Sequence, residues 1–309
     1  MNSSQKITPC LWFDSNAAEA AHFYAGLFDG SRINNVVYYT DEGKEITGKD
    51  AGTVLTVDFD LAGYKFTGLN GGPLFKFTPA ISFFVTCETV AEIDALWTQL
   101  LQGGFAMMPL DRYDWSERYG WVQDKFGLTW QLSLGKLRDV GGQKIVPALL
   151  FVGQQHGKAE AAMNLYSEIF RGSKIDGLLR YAAGEGEPIA AGTIKHAQFG
   201  LGSGDEKFMV MDSAAAHQFT FNEAISLQID CATQDEVDYF WGKLIADGGE
   251  EQPCGWLKDK FGVSWQVSPT VLHEMLQDHD VEKVKRVTRA FLQMKKFDIA
   301  ALQRAFSGA

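Results

Sequence analysis

Cysteine is scarce in this chain. There are four, Cys10, Cys87, Cys231 and Cys254, and none forms a C-x-x-C pair. That spacing argues against a zinc knuckle and suits free thiols in a reducing cytoplasm. Proline is sparse too, with eight residues against 32 glycines, which fits many turns without a low-complexity segment. Long hydrophobic runs are absent. No stretch approaches about 18 uninterrupted apolar residues, so no membrane span is expected. Met1 to Lys6 is polar and lacks the apolar centre of a signal peptide. Positive charge is in deficit: 28 Lys and Arg face 39 Asp and Glu, a formal net charge of -11. Such a chain is poorly suited to neutralising phosphates or to lying on an anionic membrane. The expectation is no nucleic-acid partner and no membrane partner, with the charge serving solubility.

What is present is a long internal repeat across the 309 residues. Ile7-Thr-Pro-Cys-Leu-Trp-Phe13 matches Ile145-Val-Pro-Ala-Leu-Leu-Phe151. Phe28-Asp-Gly-Ser-Arg-Ile33 matches Phe170-Arg-Gly-Ser-Lys-Ile175, and Ala80-Ile-Ser82 matches Ala224-Ile-Ser226. Gly120-Trp-Val-Gln-Asp-Lys-Phe-Gly-Leu-Thr-Trp-Gln-Leu-Ser133 matches Gly255-Trp-Leu-Lys-Asp-Lys-Phe-Gly-Val-Ser-Trp-Gln-Val-Ser268. Matches that keep their order over so long a span imply duplication of a whole domain rather than a solenoid unit. The expected division is a first domain over 1–138, a linker over 139–143 with paired glycines, a second domain over 144–275 and a tail over 276–309.

Within each repeat the periodicity is mixed. Ile7 to Phe13 reads as a strand, and Asn16 to Phe28 carries apolar residues at helical spacing, with Ser15 or Asn16 as a cap. Thr53 to Asp60, Lys65 to Leu69 and Ala80 to Cys87 read as strands. Thr89 to Gln102 reads as an amphipathic helix stopped by Gly103-Gly104. Two strands follow, turned by Asp124-Lys-Phe-Gly127. Each repeat thus reads strand, helix, strands, twice over. The fold class is α+β, two tandem domains with short helices outside a curved mixed sheet. In the tail, Val281 to Met294 is amphipathic with a basic face, and Asp298 can cap a last helix ending near Phe306. The tail reads as a helix pair docked on the body, or else as a partner-binding element.

These motifs resemble the vicinal-oxygen-chelate superfamily, the glyoxalase, bleomycin-resistance and dioxygenase proteins. They are most similar to its PhnB-like subgroup, whose domains are often labelled 3-demethylubiquinone-9 3-methyltransferase. The residues that carry the resemblance are Leu11-Trp-Phe-Asp14, Phe23-Tyr24, Leu69-Asn-Gly-Gly-Pro73, Phe75-Lys-Phe77, Ala80-Ile-Ser82, Gly120 to Gln131, Cys254 to Gln266 and Leu292 to Leu302. The resemblance implies paired βαβββ modules, two to a domain, whose half-closed sheets form a cavity. It also implies, for metal-dependent relatives, His or Glu ligands on the inward strand faces. Here those positions fall near Pro9 and Pro147, near Ala80 and Ala224, and on Gln131 and Gln266, with no acid between Lys65 and Leu69 or between Lys207 and Met211. Proline cannot ligate, and a neutral amide is a weak ligand for iron, zinc or nickel. The expectation is no metal and no cofactor.

Candidate chemistry is thin. His196, on a predicted strand where the subgroup often has His, is a candidate base, or a strand histidine bonded to backbone. Cys254 is a candidate nucleophile, or a buried inert thiol. The insertion from Met107 to Arg118 in the first repeat is a candidate lid, or a solvated hairpin. Asn70 and Asp212 end matching strands, at a ligand or in a turn. Trp12, Trp121 and Trp256, with Gln131 and Gln266, are the residues expected to face a cavity. An aromatic wall with an amide handle suits an apolar or planar ligand. The reading is a cytoplasmic small-molecule-binding protein or metal-independent enzyme of that superfamily, with the His196, Cys254 and Gln266 side of the second domain as the place for chemistry. The alternatives are a ligand-sequestering module and a quinone-related methyltransferase, although no glycine-rich loop of the S-adenosylmethionine type follows the first strand of either repeat. A homo-oligomer is left open.

Overall fold

The computed structural model describes residues 5–185 and 191–308. Four modules follow one another. The first holds β1 (Ile7–Phe13), α1 (Ala17–Ala25), β2 (Arg32–Tyr38), α2 (Lys44–Thr47), β3 (Val54–Leu61) and β4 (Tyr64–Asn70). The second holds β5 (Ile81–Cys87), α3 (Val90–Leu100), β6 (Phe105–Tyr113), β7 (Ser116–Gln123) and β8 (Thr129–Leu134). The third holds β9 (Ile145–Phe151), α4 (Ala159–Ile169), β10 (Lys174–Arg180), β11 (Ile194–Leu201) and β12 (Glu206–Asp212). The fourth holds β13 (Ile225–Cys231), α5 (Gln234–Ile245), β14 (Glu250–Glu251), β15 (Trp256–Lys258) and β16 (Ser264–Pro269). The tail adds α6 (Thr270–Leu276), α7 (Val281–Phe291) and α8 (Ile299–Ser307).

The helices begin where polar groups can satisfy their first N–H donors. Thr89 and Thr233 cap α3 and α5 by accepting from the backbone N–H of Glu92 and Glu236. For α1 the cap comes from elsewhere. Asn16 makes no capping bond, and the Ala17 N–H donates instead to Asn70 Oδ1 at 2.9 Å, across from the end of β4.

Strand pairing departs from the expected arrangement of two modules within each repeat. One eight-stranded sheet runs β14-β15-β16-β13-β1-β4-β3-β2, and the other runs β10-β11-β12-β9-β5-β8-β7-β6. The first sheet therefore joins the first and fourth modules, and the second joins the second and third. Each join is antiparallel, with Ile7 opposite Ile229 and Ile81 opposite Leu149. The curved sheets expected to form a cavity within each repeat are not found. Both sheets are open: β14 and β2 end the first without pairing with each other, and so do β10 and β6 in the second. The reason is geometric. Closure needs edge strands to meet, and modules that pair through their first strands leave the free edges at opposite ends.

Strand alternation separates two environments. On β1, Leu11 and Phe13 enter a hydrophobic core that runs through all four modules and takes in α1, α3, α4 and α5. Cys10 and Trp12 point to the other face. The tail packs there around its own small core of Leu272, Met275, Val287, Phe297 and Leu302. Helix α7 is tied down by ion pairs from Lys285 to Asp41 and from Arg289 to Glu42. The 107–118 insertion is the tip of the β6–β7 hairpin at a sheet edge. Among the described residues no helix is long and apolar enough to cross a membrane.

Candidate functional site

On the outer face of the first sheet lies a cavity of about 720 Å³. That is within the range of ligand pockets, roughly 300 to 1,000 Å³. Its floor is the row of side chains on that face: Cys10, Asp58, Thr67, Gln228, Gln266 and Ser268. Its walls are aromatic, chiefly Trp12, Phe75 and Trp256. Trp12 sits edge-on to both neighbours, at 5.0 Å from Phe75 and 6.0 Å from Trp256. The indole N–H of Trp12 donates to the Gly72 carbonyl at 2.7 Å, which fixes the ring. A Cβ at Gly71 would collide with that ring, so the Asn-Gly-Gly turn is what lets Trp12 lie flat. The roof is the tail, with Leu272, Leu276, Val284 and Phe291 facing in from α6 and α7. The enclosure is thus made by tail helices over an open sheet.

The sequence reading placed Trp12, Cys254, Trp256 and Gln266 at a ligand site, and all four line this cavity. The other residues go elsewhere. Asn70 is spent on capping α1, and its Nδ2 donates to the Val54 carbonyl at 3.0 Å. Asp212 accepts from the backbone N–H groups of Gly157, Ala159 and Ile194. Trp121, Gln131 and His196 belong to the second sheet. His196 and Cys254, which the sequence reading put on one side of a second domain, are separated: His196 is on β11 of the second sheet, and Cys254 is in the turn before β15 of the first. Burial pushes the His196 imidazole down from its ordinary value, and its ring lies 6.4 Å from Phe84.

The matching face of the second sheet carries a more apolar set of side chains. Ala148 stands where the first sheet has Cys10, Met209 where it has Thr67, and Phe84 where it has Gln228. Ala148 and Met209 pack with Val140 and Val146, and Phe84 and Met211 lie against them. Met209 and Phe84 thus put apolar side chains where the first sheet has polar Thr67 and Gln228.

One substitution between the repeats changes the chemistry of the floor. Gln131 donates to Ser82 Oγ at 2.8 Å, and its Oε1 accepts from the Tyr119 hydroxyl at 2.7 Å. Gln266 makes the matching bond to Ser226 Oγ at 2.8 Å. Cys254 stands where the first repeat has Tyr119, so Gln266 Oε1 lacks the tyrosine hydroxyl that Gln131 Oε1 accepts. Burial pushes the Cys254 thiol up to about 11, and the Cys10 thiol up to about 12 despite hydrogen bonds with Gln266 and Ser226. Neither is a thiolate at neutral pH.

A feature that sequence reading missed is His273, on α6 outside both repeats. Its Nε2 lies 3.6 Å from Asp230 Oδ1 and 3.3 Å from Ser268 Oγ. Burial would lower its pKa, but the hydrogen bond and charge of Asp230, with Asp58 and Glu274 adding, hold it above the ordinary imidazole value. Its only signal in the sequence is a lone histidine just after the second repeat.

The metal question can be put to the donor set itself. Alternation turns Cys10, not Pro9, toward the cavity, Ala224 lies just before β13 and does not line it, and Gln266 faces it as expected. The residues that do face the cavity still do not fit a metal: among the described residues no three His, Cys, Asp or Glu side chains are grouped to hold one.

Comparison with known proteins places the chain in a family. The family model described as 3-demethylubiquinone-9 3-methyltransferase matches twice, over residues 5–133 and 143–268. A putative 3-demethylubiquinone-9 3-methyltransferase, PhnB protein, from Bacillus cereus is 42% identical over 42% of this chain and 100% of that one, with a TM-score of 0.39. Glyoxalase I from Zea mays is 11% identical over 88% of this chain and 95% of that one, with a TM-score of 0.54, a likeness of fold. No curated protein matches.

Proposed function

We propose that this chain, which belongs to the 3-demethylubiquinone-9 3-methyltransferase family of the glyoxalase superfamily, binds one small, largely apolar molecule over its first sheet. The observation that carries the reading is the cavity of about 720 Å³ with aromatic walls and a polar floor. Trp12 and Trp256 offer flat apolar surface, and Gln266 offers a carbonyl oxygen that lacks the tyrosine donor of its counterpart Gln131. In this reading Cys254 is a wall residue, because a thiol pushed up to about 11 is a poor nucleophile at neutral pH. His196 supports the packing of the second sheet. The setting is a reducing cytoplasm, which suits four free cysteines.

The test is saturable binding of a neutral apolar dye, N-phenyl-1-naphthylamine, read by its fluorescence. One site per chain is expected, and Leu276→Trp, which fills the cavity, should abolish it. Binding that Leu276→Trp leaves intact would sink the reading. The family description names a methyl transfer, and calorimetry with S-adenosylmethionine separates that activity from binding alone.

A further inference from the structure

The cavity is short of positive charge. No Lys or Arg lines it, while three carboxylates do: Glu42, Asp58 and Glu223. Glu42 is paired with Arg289, and Glu223 with Lys258 at 2.7 Å. Asp58 has no ion pair among the described residues. Its Oδ1 accepts from the Thr67 hydroxyl at 2.8 Å, and its Oδ2 accepts nothing from them. The lining imidazole, His273, is engaged with Asp230 and feels the charge of Asp58 without pairing with it. A half-buried carboxylate between aromatic walls is favoured by a cation that meets it.

A second observation comes from the pseudo-symmetry. Asp58 pairs with Thr67 on the neighbouring strand, as Gln198 pairs with Met209 in the second sheet. On the second sheet the position holds a neutral amide that donates to the Asp139 carbonyl at 2.9 Å. The carboxylate is found where the aromatic-walled cavity lies. A third is Gln266 Oε1, an acceptor on the same floor that lacks the tyrosine donor of its counterpart Gln131. Such acceptors call for a ligand that donates, and aromatic walls attract cations through the ring quadrupole.

We propose that the ligand of this cavity is a hydrophobic amine, bound as its ammonium ion with Asp58 as counter-charge and the Trp12 and Trp256 rings against its body. This rests on the cavity being a small-molecule site, as argued above. Calorimetry on the full chain at neutral pH would compare 2-naphthylmethylamine with its neutral isostere, 2-naphthylmethanol. The amine should bind at least about tenfold more tightly, as expected for a desolvated charge pair with cation–π contact. Asp58→Asn, checked for folding by circular dichroism, should remove the amine's advantage over the alcohol. Equal affinities in the unmodified protein, or an amine advantage that survives Asp58→Asn, would overturn the proposal while leaving the cavity as a binding site. If neither probe bound but the neutral dye did, the amine proposal would also fall. If no probe bound, the binding reading itself would fail.

Discussion

At the scale of single residues, one buried carboxyl has a measurable signature. Glu206 opens β12 and reaches across to the first module. Its Oε2 accepts from the backbone N–H of Lys6 and of Ile7, each at 3.1 Å, and its Oε1 lies 3.4 Å from the Tyr64 hydroxyl. Burial pushes its pKa up to about 8, more than those hydrogen bonds pull it down. The folded protein therefore holds this proton more tightly than the unfolded chain does. The stability so contributed is complete below the ordinary glutamate value and is lost as pH rises through about 8. His273 is also raised, so it adds a loss of the same sign. Glu206→Gln isolates the carboxyl, since the amide keeps an oxygen for the two N–H donors. The melting temperature of the unmodified protein is expected to fall more steeply than that of Glu206→Gln between about pH 5 and pH 9. Parallel curves would show that Glu206 does not titrate in this window.

At the scale of elements, the most conspicuous repeated motif turns out to be structural. In Asp-Lys-Phe-Gly the aspartate is a four-bond acceptor. Asp259 Oδ1 takes the backbone N–H of Phe261 and Val263, which shapes the turn into β16. Its Oδ2 takes the Trp265 indole at 2.9 Å and the Tyr166 hydroxyl at 2.7 Å, which ties α4 to the sheet. Asp124 does the same with Phe126, Leu128, Trp130 and Tyr24. Replacing one oxygen by NH₂ would set a donor against donors inside the core. Asp259→Asn is expected to cost about 2–4 kcal/mol, in the range for breaking a buried polar network. Urea unfolding measures it, and an unchanged midpoint with unchanged slope would refute the role given to the motif.

At the scale of the whole molecule, the exchanged modules make each half incomplete. The first half alone would expose β1 and β5, the strands that meet β13 and β9. It would also leave bare the core faces that the other half covers. Unpaired central strands recruit another chain. Residues 1–138 produced alone are expected to dimerise or aggregate, and to recover a monodisperse complex when produced together with 139–309. Light scattering decides this, and a stable folded monomer of 1–138 would contradict it. The duplication lets one chain supply both partners of a pseudo-symmetric pair. It also lets the two sheets diverge, one apolar at Met209 and Phe84 and the other polar at Thr67 and Gln228 beneath the cavity.

The sequence by itself determined the repeat, the strand and helix periodicity, the tail helices and the family. Each is written in local spacing and in matches that keep their order. It also carried four cavity residues, Trp12, Cys254, Trp256 and Gln266, because strand alternation and aromatic composition are local too. Tertiary structure decided which modules share a sheet, since β1 could pair as well within its repeat as across to β13 on pattern alone. From that pairing followed the open sheets, the separation of His196 from Cys254, and the recruitment of His273 and Asp58 to one floor. Those residues lie far apart along the chain, and what unites them is the crossing of two halves and a roof of helices, which no local pattern encodes.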